Sequence, residues 1–419
     1  MEEAINNVMT ECGVPYNLKP EQIQIIRSVL ERRKNVFGLL PTGFGKSDCY
    51  GWLSSIMDKI ETDVEHITLV ISPLRSLMLD QVERWSSRGV TCAAIMRADE
   101  IDDATKEEIT EGKFQLIFSS PEAILRHKWW SAAKRWANRL TAVVIDEAHC
   151  MTKWGTFRDG YKNISTIRSI LSQQPVVCLT ATATQSMVED IIHTLNLEVS
   201  SFEIIAVLPD RPNIKIHAER VDNANFAEQL KWYADLLKGK EAPKAIIYSR
   251  QVNEVANIYA WLMSSLNEMA WAGSDRTVHN RIVEMYHGST DQESQKRIVS
   301  SFAKSSSPLR CVVATMAFGM GVQINDVDFV IHWGPSRDVL SYWQEVGRCA
   351  RDGRQGHSYL YLYPRSVNKR MVDHSMMEVC ASVTSNQCVR AVILQHLYVS
   401  GMQKLVRGSC QQCCNGCEE

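Results

Sequence analysis

A glycine-rich turn, Pro41-Thr42-Gly43-Phe44-Gly45-Lys46-Ser47, has the residue types of a phosphate-binding loop. It follows the apolar run Asn35–Leu40, which predicts a buried strand, and it precedes a predicted helix that begins near Lys46. Glycines let successive backbone N–H groups point at one place, and the helix start adds a partial positive charge. Lys46 would bind the β- and γ-phosphates of a nucleotide, and the Ser47 hydroxyl would bind Mg²⁺. Gly and Pro also mark ordinary turns, but Gly-x-Gly-Lys-Ser after a strand favours nucleotide contacts from Thr42, Gly43, Gly45, Lys46 and Ser47.

Two adjacent carboxylates, Asp146 and Glu147, follow the apolar run Val143-Val144-Ile145. The carboxyl end of a parallel strand is where such sheets bind ligands. Asp146 would hold Mg²⁺, directly or through water, and Glu147 would orient and deprotonate an attacking water. An acidic pair in this position is often only a helix cap or a solvated feature. The lysine-containing turn upstream favours the catalytic interpretation.

Arginines are concentrated in the second half of the chain, in Gln344-Glu345-Val346-Gly347-Arg348-Cys349-Ala350-Arg351-Asp352-Gly353-Arg354. Such a cluster can be simply a solvated face. However, a second sheet domain without a phosphate loop of its own could supply a cation to a nucleotide that the first domain binds. We therefore expect Arg351, with Arg348 beside it, to stabilise the charge that develops on the γ-phosphate.

Cysteines are concentrated near the C-terminus, where five of the chain's thirteen fall between Cys388 and Cys417. Thiolates at such short spacing can close a tetrahedral zinc site. With Cys388 as one ligand, Cys410 and Cys417 are the clear ligands of the C-terminal cluster, and its middle ligand is either Cys413 or Cys414. We expect Cys414, because a C-x-x-C pair with Cys417 encloses the Asn-Gly turn. Unrelated free thiols are the alternative.

The chain has 419 residues, of which 45% are hydrophobic and 22% charged, as in ordinary globular proteins with a sizeable core. Its formal net charge of −2 excludes a polycationic tail, so any nucleic-acid contact must come from a local groove. No apolar run approaches the length of a membrane span, and the acidic start Met1-Glu2-Glu3 does not resemble a signal peptide. We therefore expect a nuclear or cytoplasmic protein, neither secreted nor membrane-bound, with reduced cysteines.

Apolar, β-branched runs with little alternation predict parallel strands that are covered on both faces. In the first half, we expect strands at Asn35–Leu40, Ile67–Ser72, Phe114–Ser119, Ala142–Ile145 and Val176–Thr180. In the second half, we expect them at Lys244–Tyr248, Val283–Tyr286, Cys311–Ala314, Phe329–His332 and Ser358–Tyr363. These runs alternate with amphipathic helical stretches, so the sequence predicts an α/β fold with two consecutive sheets of similar size.

Several of these motifs together resemble the ordered motifs of superfamily 2 helicases, namely Pro41–Ser47, Asp146–His149, Leu179–Thr184 and Gln344–Gly353. Further stretches narrow the resemblance to the RecQ family of ATP-dependent DNA helicases. These stretches are Leu18-Lys19-Pro20-Glu21-Gln22, Ser72-Pro73-Leu74-Arg75-Ser76-Leu77-Met78, His149–Gly155, Tyr286-His287-Gly288 and Ala317-Phe318-Gly319-Met320-Gly321. The resemblance extends from about Leu18 to Cys417, which is nearly the whole chain.

The resemblance implies two tandem RecA-like parallel-sheet domains and a small helical zinc-binding subdomain. We place them at residues 1–207, 208–365 and 366–419, with a linker around the prolines of 208–213. The resemblance also implies an enzyme that hydrolyses ATP with Mg²⁺ and contains Zn²⁺. Such an enzyme would move 3′→5′ on single-stranded or tailed duplex DNA and would act in DNA repair or recombination. The resemblance implies that Gln22 recognises the adenine base. It also implies that Thr180–Thr184 couples the nucleotide-binding site to the DNA-binding surface.

Trp154, Phe157 and Arg158 lie in a segment that resembles the family's aromatic-rich loop, which senses DNA. Aromatic faces stack bases of any sequence, and an arginine can hold phosphate. The alternative is that these aromatics are core residues. Their position after the carboxylate pair favours DNA contact, and the resemblance adds Thr315 to the predicted DNA-binding residues.

The sequence departs from the family pattern at several points. Gln323 stands where a carboxylate usually helps to bind the nucleotide, so we expect a nucleotide contact of altered chemistry there. Ala350 replaces the common Gly before Arg351, Lys19 replaces the usual Arg, and the aromatic-rich loop is one residue shorter. We also expect the chain to lack the winged-helix and helicase-and-RNaseD C-terminal domains of many RecQ proteins, and so to unwind only short tailed duplexes.

Two other functions remain open from the sequence. An RNA-directed helicase of the same superfamily would share the ATPase motifs but would have no reason to carry the zinc cluster. A non-catalytic nucleic-acid-binding scaffold would keep the fold while losing Lys46, Glu147 or Arg351, and all three are present. A non-processive nucleic-acid-binding scaffold with weak ATPase stays an alternative. We expect the protein to be a monomer.

Overall fold

The computed structural model describes residues 1–419 except 74, 97–100, 152–163, 165, 168–170, 240, 319–323, 386, 403–412 and 418–419. The chain forms two compact units, Met1–Pro209 with Tyr398–Gln403 and Asp210–Leu397 with Lys404–Glu419. Each unit contains one parallel β-sheet, so the predicted α/β class with two sheets is confirmed. The predicted division into three domains stays a prediction.

The first unit is built on a seven-stranded sheet in the order β3-β4-β2-β5-β6-β1-β7, in which all neighbours are parallel. Its strands are β1 (Asn35–Leu39), β2 (Ile67–Ile71), β3 (Cys92–Ile95), β4 (Leu116–Ser119), β5 (Leu140–Ile145), β6 (Val176–Thr180) and β7 (Phe202–Ala206). Its described helices are α1 (Glu2–Glu11), α2 (Pro20–Leu30), α3 (Asp48–Gly51), α4 (Leu53–Ile60), α5 (Arg75–Ser86), α6 (Asp103–Glu111), α7 (Pro121–Ile124), α8 (His127–Trp136) and α9 (Gln185–Thr194).

Alternate residues of β1 explain why this sheet is covered on both faces. Phe37 and Leu39 pack into one apolar core, whereas Val36, with Leu40 just after the strand, packs into the other. Every residue of β2, β5 and β6 is buried. Each fully buried Val, Leu or Ile contributes roughly 1.5–3 kcal/mol of transfer free energy, so uninterrupted apolar runs stabilise two cores at once.

The second unit is built on a six-stranded sheet in the order β10-β11-β9-β12-β13-β8, again with parallel neighbours. Its strands are β8 (Ile214–Arg220), β9 (Ala245–Tyr248), β10 (Val283–Tyr286), β11 (Cys311–Ala314), β12 (Phe329–Trp333) and β13 (Gly356–Leu362). Its described helices are α10 (Phe226–Gln229), α11 (Lys231–Leu236), α12 (Val252–Leu266), α13 (Gln292–Ala303), α14 (Val339–Val346), α15 (His374–Ser382) and α16 (Val389–His396). None of the helices in the described parts of the chain has the length and apolar character needed to cross a bilayer.

Three strands that the sequence did not predict, β3, β7 and β8, all lie at the edges of their sheets. In β3 and in most of β8, buried residues alternate with partly exposed ones, unlike the uninterrupted burial of the central strands. An edge strand has one neighbour and a less covered face, so its sequence carries a weaker apolar signal. The predicted central strands agree with the structure to within two residues at each end.

Gly51 provides a test of packing in the first unit. A Cβ atom at this position would lie 2.0 Å from Trp85 Cζ2, and Trp85 is fully buried against Trp52. Ala in place of Gly usually stabilises a helix by about 0.5–1 kcal/mol. We expect Gly51→Ala instead to lower the free energy of unfolding by about 1–3 kcal/mol, measured by urea unfolding, because overpacking costs more than the helix gains.

Gly288→Ala is the control, since a Cβ there meets no atom within 4 Å. It should leave the unfolding midpoint nearly unchanged. A Gly51→Ala protein as stable as the parent would show that the Trp85 contact does not restrict this position.

Candidate nucleotide-binding site and cysteine cluster

The predicted phosphate-binding loop is a tight turn between β1 and α3. Gly43 and Gly45 have φ angles of +82° and +90°, in the left-handed region that favours glycine. A Cβ atom on Gly45 would lie 2.6 Å from Gln22 Nε2, so a larger residue does not fit there. The Asp48 N–H donates to Gly45 O at 3.0 Å, which places Lys46-Ser47 at the start of the helix. The predicted helix therefore begins at Asp48, close to the position expected from the sequence.

Gln22 supports this loop from α2. Its Nε2 donates hydrogen bonds to Phe44 O (3.1 Å) and Gly45 O (2.8 Å), and its Oε1 accepts one from the Lys19 N–H (2.7 Å). The Lys19 ammonium lies 4.0 Å from the centroid of the Phe44 ring. Gln22 thus contacts the loop directly, whereas its predicted contact with adenine stays a prediction.

Asp48, which the sequence did not single out, anchors the start of α3. Its Oδ1 accepts hydrogen bonds from Tyr16 OH (2.9 Å) and from an Arg88 nitrogen (3.0 Å). The Arg88 guanidinium also lies 5.1 Å from the Trp85 ring centroid. Burial raises the pKa of Tyr16, and its hydrogen bond to Asp48 adds to this effect. The partners of Asp48 are far away in the sequence, so the sequence does not indicate this contact directly. The one available signal is that Asp48 is an acidic residue in the first turn of a helix, where a negative charge is favourable.

The two predicted carboxylates follow β5, which is separated from β1 by β6 alone. Burial of the Asp146 carboxyl raises its pKa to about 6, with the Glu147 charge as a second cause. Asp146 Oδ2 accepts a hydrogen bond from Tyr50 OH at 3.3 Å. Glu147 Oε1 lies 4.0 Å from Lys46 Nζ. The strand order therefore brings the predicted lysine and carboxylates together at the carboxyl edge of the sheet.

Glu147 is held in an unusual backbone conformation. Its φ angle is +48°, which for a non-glycine residue costs of order 1–3 kcal/mol. Its N–H donates to Asp146 Oδ1 at 2.9 Å. His149 Nδ1 lies 3.3 Å from Glu147 Oε2 and 2.9 Å from Thr180 Oγ1. Thr180, at the end of β6, is thus connected through His149 to the carboxylate beside Lys46.

The predicted arginines follow α14 in the second unit. Arg351 Nε donates to Gly347 O at 3.2 Å, and Arg348 lies in the same turn. Ala350 has a φ angle of +45°. Glycine adopts this conformation without steric cost, which explains why the common Gly of the family pattern suits this position. Thr315, predicted to bind DNA, follows β11 and is buried, at 8% exposure.

Four cysteine sulfurs lie within 4.8 Å of one another in the second unit, those of Cys388, Cys413, Cys414 and Cys417. The Sγ–Sγ distances are 3.5 Å (388 to 413), 3.7 Å (413 to 417), 3.8 Å (388 to 414) and 3.6 Å (414 to 417). Sulfurs around zinc, with Zn–S bonds of about 2.3 Å in a tetrahedron, lie about 3.8 Å apart. The spacing of this cysteine cluster therefore fits a structural zinc ion.

Both cysteines between which the sequence left a choice belong to this cluster. Cys414 forms a β-bridge with Ile216, and Cys413 O accepts a hydrogen bond from the Ile216 N–H at 3.1 Å. Cys388 caps α16, with its Sγ 3.4 Å from the Ala391 N–H. The Cys388 thiol lowers the pKa of Cys414, which favours the thiolate. Cys413 is disulfide-bonded in this structure, whereas Cys388, Cys414 and Cys417 are free thiols.

Several predicted site residues lie outside the described part of the chain, and they are Trp154, Phe157, Arg158, Gln323 and Cys410. Their predicted roles in DNA, nucleotide and zinc binding stay predictions.

Comparisons with known proteins agree with this arrangement. A family model described as DEAD/DEAH box helicase matches residues 19–191, and one described as Helicase conserved C-terminal domain matches residues 228–353. The chain is 30% identical to the mouse (Mus musculus) bifunctional 3′-5′ exonuclease/ATP-dependent helicase WRN, over 96% of this chain and 28% of WRN. It is 27% identical to the ATP-dependent DNA helicase RecQ of Haemophilus influenzae, over 90% of this chain and 58% of that protein.

The chain belongs to the RecQ family. Among solved structures, the DUF1998 helicase MrfA bound to DNA resembles it with a TM-score of 0.66 at 16% identity, over 96% of this chain and 55% of MrfA, which supports the fold alone. The predicted tandem RecA-like domains are thereby confirmed. This RecQ-family chain spans little more than a quarter of WRN and under two thirds of the H. influenzae protein.

Proposed function

We propose that this RecQ-family chain is an ATP-dependent DNA helicase that moves 3′→5′ and whose ATPase is stimulated by single-stranded DNA. The observation that carries the proposal is the 4.0 Å approach of Lys46 Nζ to Glu147 Oε1, beside Asp146, at the carboxyl ends of β1 and β5, which β6 alone separates. ATP hydrolysis needs a cation for the phosphates, an oxygen site for Mg²⁺ and a base for water. A role in DNA repair or recombination is proposed from the RecQ resemblance.

The residues at this edge have distinct proposed roles. Lys46 binds the β- and γ-phosphates, together with backbone N–H groups of the turn. The Ser47 hydroxyl and the Asp146 carboxylate are oxygen donors of the kind that Mg²⁺ prefers, and bound Mg²⁺ would neutralise charge on the phosphates. Glu147, which lies between Lys46 Nζ and His149 Nδ1, is our candidate for the group that orients and deprotonates water.

The second unit is proposed to supply positive charge to the same reaction. Arg351, with Arg348, would stabilise charge on the γ-phosphate when the nucleotide is bound. Gln22 and Gln323 are proposed as further nucleotide contacts. The support for Arg351 is its position in the turn after α14, where its Nε donates to the Gly347 carbonyl.

For the nucleic-acid track we propose Trp154, Phe157, Arg158 and Thr315, because aromatic side chains stack bases and arginine holds phosphate. DNA is preferred over RNA because the H. influenzae and Bacillus subtilis relatives are named DNA helicases, whereas one mimivirus relative at 27% identity is named a putative RNA helicase. An RNA-directed helicase remains the alternative, since it would use the same ATPase residues.

We also propose that Cys388, Cys413, Cys414 and Cys417 bind one structural Zn²⁺. The support is the tetrahedral spacing of their sulfurs. Cys413 must be reduced to act as a thiolate ligand. The set expected from the sequence, with Cys410 in place of Cys413, is the competing assignment.

The ATPase assignment is tested by two substitutions. Lys46→Ala should remove hydrolysis and weaken nucleotide binding, because the phosphate charge loses its cation. Glu147→Gln should keep nucleotide binding and lower kcat by about 10²–10⁴-fold, as loss of a general base does. Steady-state ATPase and fluorescent-nucleotide titration measure both. Lys59→Ala, which removes an exposed lysine paired with Glu11, is the control. Hydrolysis at the parent rate in either test variant would contradict the assignment.

The preference for DNA over RNA is tested by measuring the ATPase rate in parallel with single-stranded DNA, with RNA and without nucleic acid. We expect DNA to stimulate ATP hydrolysis most. The affinity of the protein for DNA should fall steeply as the salt concentration rises, because contacts to the DNA backbone release counterions. Trp154→Ala should reduce DNA-stimulated hydrolysis far more than basal hydrolysis, whereas Trp130→Ala, in α8, should reduce neither selectively. Equal stimulation by RNA would favour the alternative function, and an equal loss of both rates in Trp154→Ala would make this residue structural.

Zinc binding is tested by the metal content of purified, reduced protein. One Zn²⁺ per chain is expected, and a chelator should expose the last segment to protease because metal binding there is folding free energy. Cys413→Ser and Cys414→Ser should each lose zinc, while Cys410→Ser should retain it. If Cys410→Ser loses zinc and Cys413→Ser does not, the assignment expected from the sequence is correct. Absence of zinc from well-folded parent protein contradicts both.

A further inference from the structure

The segment that opens the second unit, Asp210-Arg211-Pro212-Asn213, contacts the turn that carries the proposed γ-phosphate arginines. Arg211 donates to Gly347 O (3.0 Å) from one terminal nitrogen and to Cys349 O (2.8 Å) and Ala350 O (2.9 Å) from the other. Asn213 Nδ2 donates to Ala350 O at 3.1 Å. One side chain therefore holds three carbonyl groups of a turn more than a hundred residues later in the chain.

Arginine is the residue type that this contact requires. α14 ends at Val346, and carbonyl groups after a helix end have no partners within the helix. A guanidinium presents five donors in a planar fork, whereas a lysine ammonium acts as a compact point charge. A positive charge near a helix C-terminus is also electrostatically favourable. Burial lowers the pKa of Arg211, but arginine stays protonated in proteins.

The Gly347 carbonyl has a second donor, which is Arg351 itself. Arg351 Nε lies 3.2 Å from Gly347 O, and an Arg211 nitrogen lies 3.0 Å from the same oxygen. Arg351 can bind a phosphate with its two terminal nitrogens while Nε keeps this bond, or it can release the bond to reach farther. A buried carbonyl left without a donor costs about 1–3 kcal/mol. Because Arg211 keeps the Gly347 carbonyl satisfied, release of Arg351 avoids that cost.

The backbone carbonyl of Arg211 accepts a hydrogen bond from Arg390, which lies two residues after Cys388 of the cysteine cluster. Arg390, in the first turn of α16 after Cys388, is 2% exposed. It donates to Asp210 Oδ1 (2.7 Å), Arg211 O (2.9 Å) and Cys413 O (3.4 Å), and it also contacts Ile214 O. Asp210 Oδ1 accepts a further hydrogen bond from the Arg211 N–H at 2.7 Å.

We propose that Arg211 is a positioning residue for ATP hydrolysis. It fixes the turn from which Arg348 and Arg351 project, and it keeps Gly347 O hydrogen-bonded whether or not Arg351 retains its own bond to that oxygen. Asp210 and Arg390 hold Arg211 in place and connect it to the cysteine cluster. This inference rests on the proposed ATPase function, which Lys46 and Glu147 test separately.

The test uses the full chain with Arg211→Gln and Arg211→Lys. We expect kcat to fall by about 10- to 100-fold, the scale of a misplaced catalytic group, with KM for ATP and affinity for ADP changed less than about twofold. Affinity for ADP with aluminium fluoride, which resembles the transferring phosphoryl group, should fall in parallel with kcat. Lysine should not restore activity, because a single ammonium nitrogen cannot reproduce the planar arrangement of the two terminal nitrogens through which Arg211 contacts the three carbonyls.

Arg139→Gln is a matched control in the first unit. Arg139 also donates to three carbonyls, those of Glu65 (2.7 Å), Glu111 (3.2 Å) and Gly112 (2.7 Å), but it lies just before β5 and contacts no carbonyl of the proposed arginine turn. The Arg139→Gln variant should lower the midpoint of thermal unfolding about as much as Arg211→Gln does. It should leave kcat and the affinity for ADP with aluminium fluoride unchanged.

Non-additivity identifies the route of the effect. In an Arg351→Gln background, Arg211→Gln should add little to the loss of kcat, since both act through the same side chain. Asp210→Asn should also lower kcat, as Arg211→Gln does, and should leave the zinc content of the protein unchanged. The inference is overturned if Arg211→Gln retains parental kcat, if Arg211→Lys restores it, or if the two losses are additive. A parent protein without ATPase, or an active Lys46→Ala variant, would instead overturn the proposed function.

Discussion

Neighbouring parallel strands end at the same edge of a sheet, and this constraint places the candidate ATPase site. β5, β6 and β1 are adjacent, so Lys46 after β1, Thr180 at the end of β6 and the carboxylates after β5 meet although they are far apart in sequence. The site also carries unfavourable local features. Glu147 has a φ angle of +48°, and burial raises the pKa of Asp146 to about 6. The buried sheet beneath stabilises these features, since every residue of β5 and β6 is buried.

The sequence predicted the central strands of both sheets but missed three of the four edge strands, for a physical reason. A central strand such as β5, Leu140–Ile145, is apolar throughout because both of its faces lie in a core. In the edge strand β8, the buried residues Ile214 and Ile216 alternate with partly exposed Lys215 and His217. A short alternating run between two prolines and a polar segment does not stand out from a loop. Only the pairing of β8 with β13 in three dimensions defines it.

The candidate site was predictable where its residues are contiguous. Lys46 and Ser47 share one turn, and Asp146 and Glu147 share one strand end, so residue type and spacing were sufficient. The contacts of Asp48 with Tyr16 and Arg88 were not predictable, because each joins segments that only the fold brings together. The same reason applies to Cys413: spacing favoured one of two adjacent cysteines, while the folded chain brings both sulfurs within 3.8 Å of Cys388.

The alanine at position 350 shows how a local departure from a family pattern can be accommodated. Its φ angle of +45° is one that an L-residue adopts at a cost of about 1–3 kcal/mol. The Ala350 N–H donates to Val327 O (2.8 Å), and its carbonyl accepts from Arg211 and Asn213. With both backbone groups satisfied, the surrounding hydrogen bonds fix this conformation without the help of glycine. Since the turn is determined from outside, replacing Gly by Ala need not move the backbone from which Arg351 projects.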